Sequence, residues 1–100
     1  MQLTNLFTDA AAVVADKACD LKLGGTYGPE GTYNGRKAAC FNTPHGKMDF
    51  IITHISDGER DLSQEECYDG LQKEIHGCGK GGSSSYTNWR YKADPNEGEC

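Results

Sequence analysis

The chain has 100 residues, and its 15 Asp and Glu against 10 Lys and Arg give a formal charge of −5. That balance excludes the basic patch that a phosphate backbone requires and weighs against an anionic membrane surface. With a mean hydropathy of −0.69, no apolar run nears the ~20 residues of a membrane span.

Neither nucleic acid nor a bilayer is therefore an expected partner. The length suits a single domain over residues 1–100, small enough for core burial alone to leave it marginal. Five cysteines supply the remedy by stapling, which points to an oxidising compartment. Met1–Asn5 has neither the basic nor the apolar stretch of a secretory signal. The expected form is a mature, secreted, extracellular chain with Met1 as an added start.

In chain order, the first 22 residues read as a helix. Leu3, Phe7, Ala10, Ala11, Val14, Ala18 and Leu21 recur at steps of three and four, Thr4 or Thr8 can cap the start, and Cys19 lies near the end. Gly24 to Gly35 (GGTYGPEGTYNG) is turn chemistry and reads as a flexible surface loop or a poorly ordered hairpin. Lys37 to Thr43 forms a short strand around Cys40. Lys47 to Ile55 forms the strongest strand, apolar on both faces and hence central, and Thr43-Pro44-His45-Gly46 turns between the two.

A second helix starts after Ser63. Ser63 and Glu66 make a capping box, Leu62 can staple against Cys67, Gly77 suits a C-terminal cap, and Cys67, Leu71 and Ile75 form one stripe. Gly70 weakens its middle by about 1 kcal/mol, a loss that packing can offset. Gly79 to Ser85 reads as a flexible connector. The strand Tyr86 to Ala93 turns Thr87, Trp89, Tyr91 and Ala93 inward, with Trp89 expected against the helix stripe.

The Cys67 to Cys78 interval ending in His76-Gly77-Cys78, the Gly-rich loop, the aromatic strand and Cys100 together resemble the C-terminal half of the smut-fungus virally encoded killer toxins. Killer-toxin-like and necrosis-effector-like small secreted fungal proteins have similar endings. The resemblance covers roughly residues 40–100. It implies an α+β fold: a disulfide-stapled two-layer sandwich, an antiparallel sheet with two helices on one face. It also implies bridges Cys40–Cys100 and Cys19–Cys67, which leave Cys78 unpaired. The toxins carry more cysteines and a basic surface, so the fold carries over further than the toxicity. The residues by themselves leave connectivity open, and Cys78 reads as a reactive thiol, a half-buried cysteine at a helix end, or an alternative partner.

Cys78 with His45, His54 or His76 has no local signature of a thiol–imidazole pair, and His54 alternates with core-like residues. Neither C-x-x-C nor H-x-x-x-H spacing occurs, so no metal and no cofactor are expected. Asp57, Glu59, Asp61, Glu65 and Glu66 can flank a sugar as an acid–base pair, but acids in a first helical turn already have a reason to be there in the helix dipole.

Tyr27, Tyr33, Tyr86, Trp89 and Tyr91 can form an aromatic platform for sugar rings, although Trp89 and Tyr91 are also natural core anchors. The expected function is non-catalytic. A toxin or host-directed effector would meet an extracellular protein or glycan target through a surface patch of Tyr27, Tyr33, Lys80 and Tyr86. A carbohydrate-binding module is the alternative, a small hydrolase the third reading, and the protein is expected as a monomer or weak dimer.

Overall fold

The computed structural model describes residues 5–44, 46–77 and 82–100, with the backbone alone for 5–10, 76–77 and 82–84. Met1, His45, Cys78 and Lys80, each singled out in the sequence, lie outside the described residues. In chain order the elements are α1 (Asn5–Ala18), β1 (Gly25–Tyr27), β2 (Arg36–Thr43), β3 (Gly46–His54), β4 (Arg60–Leu62), α2 (Gln64–Gly77), β5 (Gly82–Ser85) and β6 (Trp89–Asn96).

Four strands form an antiparallel sheet in the order β2-β3-β6-β5, with β3 central as its two apolar faces predict. The register sets Ala39, Phe50 and Ala93 in one row, Ile52 beside Tyr91, and His54 beside Trp89. Alternation then puts Met48, Phe50, Ile52, His54, Trp89, Tyr91 and Ala93 on one face, and all are buried. Both helices cover that face: α1 packs on β2 and β3, α2 packs on β6 and β5, and the helices meet each other. Gln64 Nε2 donates to Asp16 Oδ1 at 3.0 Å across the helix pair. This is the expected α+β arrangement, with β1 and β4 added as a separate two-stranded ribbon.

Three parts of the sequence reading change. The N-terminal helix does not run evenly to Leu21, because Cys19–Leu23 is a π-helical turn closed by the Gly24 N–H donating to the Cys19 carbonyl at 3.0 Å. The wider turn shifts the phase of the inward stripe: Ala11, Ala15, Ala18, Cys19 and Leu23 are buried, and Leu21 is 68% exposed. The Gly24–Gly35 stretch is not simply a loop, since its first part pairs as β1 with β4 and a short 3₁₀ turn, Tyr33–Gly35, follows. The connector before Tyr86 is in part strand, for Gly82–Ser85 pairs with β6 through the turn Thr87–Asn88, closed by the Tyr86 N–H to the Trp89 carbonyl at 2.8 Å.

The second helix starts as its capping residue dictates, with the Glu66 N–H donating to Ser63 Oγ at 3.1 Å. Cys67, Leu71 and Ile75 are fully buried on its inner stripe. Gly70 is explained by close approach: a Cβ there would lie 2.4 Å from the Tyr91 ring, far inside contact distance. Tyr91 is buried and cannot swing away, so the Gly70→Ala change is expected to lower stability by about 1–2 kcal/mol. Overpacking of about 1–3 kcal/mol outweighs the ~1 kcal/mol that alanine contributes as a better helix former. Urea denaturation of the variant checks it, and a gain in stability would show that the ring has room to move.

Two disulfides staple the layers. Cys19–Cys67 joins the π turn to the inner stripe of α2, and Cys40–Cys100 joins β2 to the C-terminal segment after β6. These are the two pairs that the resemblance implies. Their sequence intervals interleave, spanning separations of 48 and 60 residues.

Candidate functional site

Where the start of α2 crosses the start of β6, the two elements leave a groove of about 390 Å³. From the helix come Glu65, Glu66, Asp69 and Lys73, spaced so that one side of the helix lines the opening, with Gly70 as the gap beneath them. From the β5–β6 hairpin come Tyr86, Trp89 and Tyr91. The hairpin turn places Tyr86 at the rim, 43% exposed, while Trp89 and Tyr91 form the buried wall.

The aromatic arrangement is tight. Tyr86 meets Tyr91 edge to face with centroids 5.8 Å apart, and Lys73 Nζ lies 5.3 Å from the Tyr86 centroid. Burial, then the carboxylate of Glu66, Tyr86 and the carboxylate of Asp69 hold the Tyr91 phenol above its ordinary pKa, so it stays a neutral hydroxyl.

Trp89 is gripped from behind by Tyr27, edge-on at 4.9 Å, and by the tilted His54 ring at 4.9 Å. His54 is itself fixed: its Nδ1–H donates to the Gly28 carbonyl at 2.8 Å, and its Nε2 meets the Ser56 hydroxyl at 2.7 Å. Trp89 is 3% exposed, yet its indole Nε1 has no hydrogen-bond partner, alone in this among the buried side-chain atoms of the described residues. A buried, unpaired donor typically costs about 1–3 kcal/mol.

Two further hollows are of similar size but lack these features. One, lined by residues such as Ala38, Cys40, Ile51 and Asp94, lies against β2, β3 and β6. The other runs along α1 by Val13, Asp16 and Tyr68. Neither unites several aromatic rings with several charged groups.

The structure divides the four residues expected as contacts. Tyr86 lines the groove, Tyr33 stands 94% exposed in the 3₁₀ turn away from it, and Lys80 is outside the described residues. Tyr27 is a correction: it is fully buried, its hydroxyl donates to the Leu23 carbonyl, and burial raises its pKa. It is a core anchor behind Trp89 and presents nothing to a partner. Of the five-residue platform, Tyr86, Trp89 and Tyr91 come together.

Sequence reasoning missed Asp69 and Lys73 altogether, and it assigned Glu65 and Glu66 to the helix dipole alone. The signal was faint: residues 65, 66, 69 and 73 share one side of a helix, which becomes a site only because Gly70 lets the aromatic strand close in.

A comparison with curated proteins finds no match. The family found is named for glycan binding, so kinship with killer toxins rests on the sequence resemblance alone. The family model described as glycan binding domain Y3 matches residues 27–100, which take in the sheet from β2 onward, α2, both halves of the Cys40–Cys100 bridge and every residue of the groove, and the chain belongs to that family.

Proposed function

We propose that the protein is a non-catalytic glycan-binding module and that the α2–β6 groove is where the sugar sits. One observation carries this: within the span matched by a glycan-binding family, three aromatic rings and three carboxylates line one opening. Each part suits a saccharide. The ring of Tyr86 offers a flat apolar patch to the C–H face of a pyranose. Carboxylates accept hydrogen bonds from sugar hydroxyls. The pocket volume lies in the range of small-ligand sites. Two disulfides and a glycan-binding family are compatible with an extracellular protein.

Titration of glycans against intrinsic fluorescence, guided by a glycan array, tests the reading. Tyr86→Ala is expected to weaken binding about tenfold or more through loss of a stacked aromatic contact. Melting should change little, since Tyr86 is substantially exposed. Unaltered affinity in this variant would move the site elsewhere on the surface.

Antagonism of another cell, the toxin or effector reading, becomes a consequence of such binding. Growth inhibition of fungi and leaf infiltration, each run with the parent protein and with Tyr86→Ala, would show whether any toxicity depends on the groove.

A further inference from the structure

We infer that the protein carries a site of spontaneous modification at Asp57-Gly58, where the chain converts to isoaspartate, and that the fold shields the other pairs of the same chemistry. An Asp or Asn followed by glycine is the sequence most open to this reaction, because glycine has no side chain to hinder its own backbone nitrogen. The chain has three such pairs, Asn34-Gly35, Asp57-Gly58 and Asp69-Gly70. By sequence alone Asn34-Gly35 ranks first, since a neutral amide is attacked more readily than an ionised carboxylate.

The structure reverses that order. Gly35 is buried, and its N–H, the group that would have to attack, donates to the Thr32 carbonyl at 3.0 Å. The Asn34 side chain is held as well: its Oδ1 lies 3.0 Å from the Thr32 hydroxyl and packs directly on Gly28. Asp69-Gly70 lies within α2, where the Gly70 N–H belongs to the helical ladder and the residue sits beneath the Tyr91 ring. Asp57-Gly58 has neither restraint. Both residues are exposed between β3 and β4, and Gly58 has a φ of 79° with open space where a Cβ would stand. Among the described residues neither the Gly58 N–H nor the Asp57 carboxylate has a partner.

The reaction needs nothing but water. The Gly58 nitrogen attacks the protonated side-chain carboxyl of Asp57, so that an N–C bond forms, a C–O bond breaks, and water leaves with the amide proton and the carboxyl hydroxyl. Water then opens the cyclic imide at either carbonyl. Opening at the main-chain carbonyl routes the chain through the side-chain carbon, adding one methylene to the backbone while mass and charge stay as they were. The loop can absorb that length at its tip. Its first residues stay anchored by the Ile55 N–H to the Asn88 carbonyl at 2.8 Å and by the Glu30 N–H to the Ser56 carbonyl at 3.1 Å.

The experiment ages the folded protein, disulfides intact, beside a reduced and denatured sample in neutral buffer. Isoaspartate is counted with an isoaspartyl methyltransferase and placed by peptide fragmentation. In the folded protein it is expected at residue 57, with Asn34 and Asp69 unchanged, whereas in the denatured chain Asn34 should lead. Folding should slow the Asn34 reaction by at least about tenfold, the factor set by a local opening free energy of roughly 1.4 kcal/mol, and should alter the Asp57 rate by much less. Asp57→Glu, which would have to close a larger and less favoured ring, should remove the signal of the folded protein. Faster modification at Asn34 or Asp69 than at Asp57 in the folded protein would overturn the inference. So would a signal that survives in Asp57→Glu, or the absence of isoaspartate at residue 57 once the denatured sample is extensively modified.

Discussion

Replacing Trp89 by alanine is expected to cost about 3–5 kcal/mol, the usual range for deleting a large buried aromatic. The residue is 3% exposed and is the hinge of three structures at once: it starts β6, stacks on His54 and Tyr27, and walls the groove. For a chain of this length each kcal/mol moves Tm by roughly 4–8 °C, so the variant should melt some tens of degrees lower. Trp89→Phe separates packing from polarity. It keeps a ring between Tyr27 and His54 but removes the unpaired N–H, whose burial costs about 1–3 kcal/mol, so it should lose far less stability than alanine does. Thermal melts of both variants check this, and a Phe variant as unstable as the Ala variant would show that the indole makes a bond after all.

The second large effect is redox. Closing chain intervals of 48 and 60 residues restricts the unfolded state by about 4 kcal/mol for each bridge on the chain-entropy account. Together the two are comparable with the whole net stability of a small domain, about 5–15 kcal/mol. Reduction of both is therefore expected to unfold the protein at ambient temperature, and the paired change Cys40→Ser with Cys100→Ser should lower the urea midpoint strongly by itself. Urea curves with and without reductant measure this. A midpoint indifferent to reductant would mean that the helices and sheet hold without staples.

Much of this architecture was readable residue by residue, and the failures have physical causes. Ser63, the stripe Cys67-Leu71-Ile75 and the alternation through Met48 to His54 announce α2 and β3 because capping and periodicity are local properties. The strands β1, β4 and β5 are too short and too rich in Gly, Ser and charged residues to carry a periodic signal, and they exist only because a longer partner offers them hydrogen bonds. Leu21 deceived because a π turn changes the helical phase by one residue, which no composition reveals. Tyr27 looked like an exposed loop residue between glycines, yet β1 carries it under Trp89, and Lys37 spans it with its ammonium 4.5 Å from the ring. The groove was legible only as separate halves. Its acids belong to one element and its rings to another, and their meeting depends on the missing side chain at Gly70.

The interleaving of the two bridges has a consequence for life among proteases. One covalent ring closes from Cys19 to Cys67 and the other from Cys40 to Cys100, so every peptide bond between Cys19 and Cys100 lies inside at least one ring. The stretches most open to attack, residues 29–34 and 57–59, are exposed and fall within this span. A single cut at either place yields a nicked molecule whose two pieces remain tethered, with the hairpin and helix that frame the groove still on one uncut segment. Cleavage in the extracellular medium would thus leave a mark on a reducing gel long before it released a fragment.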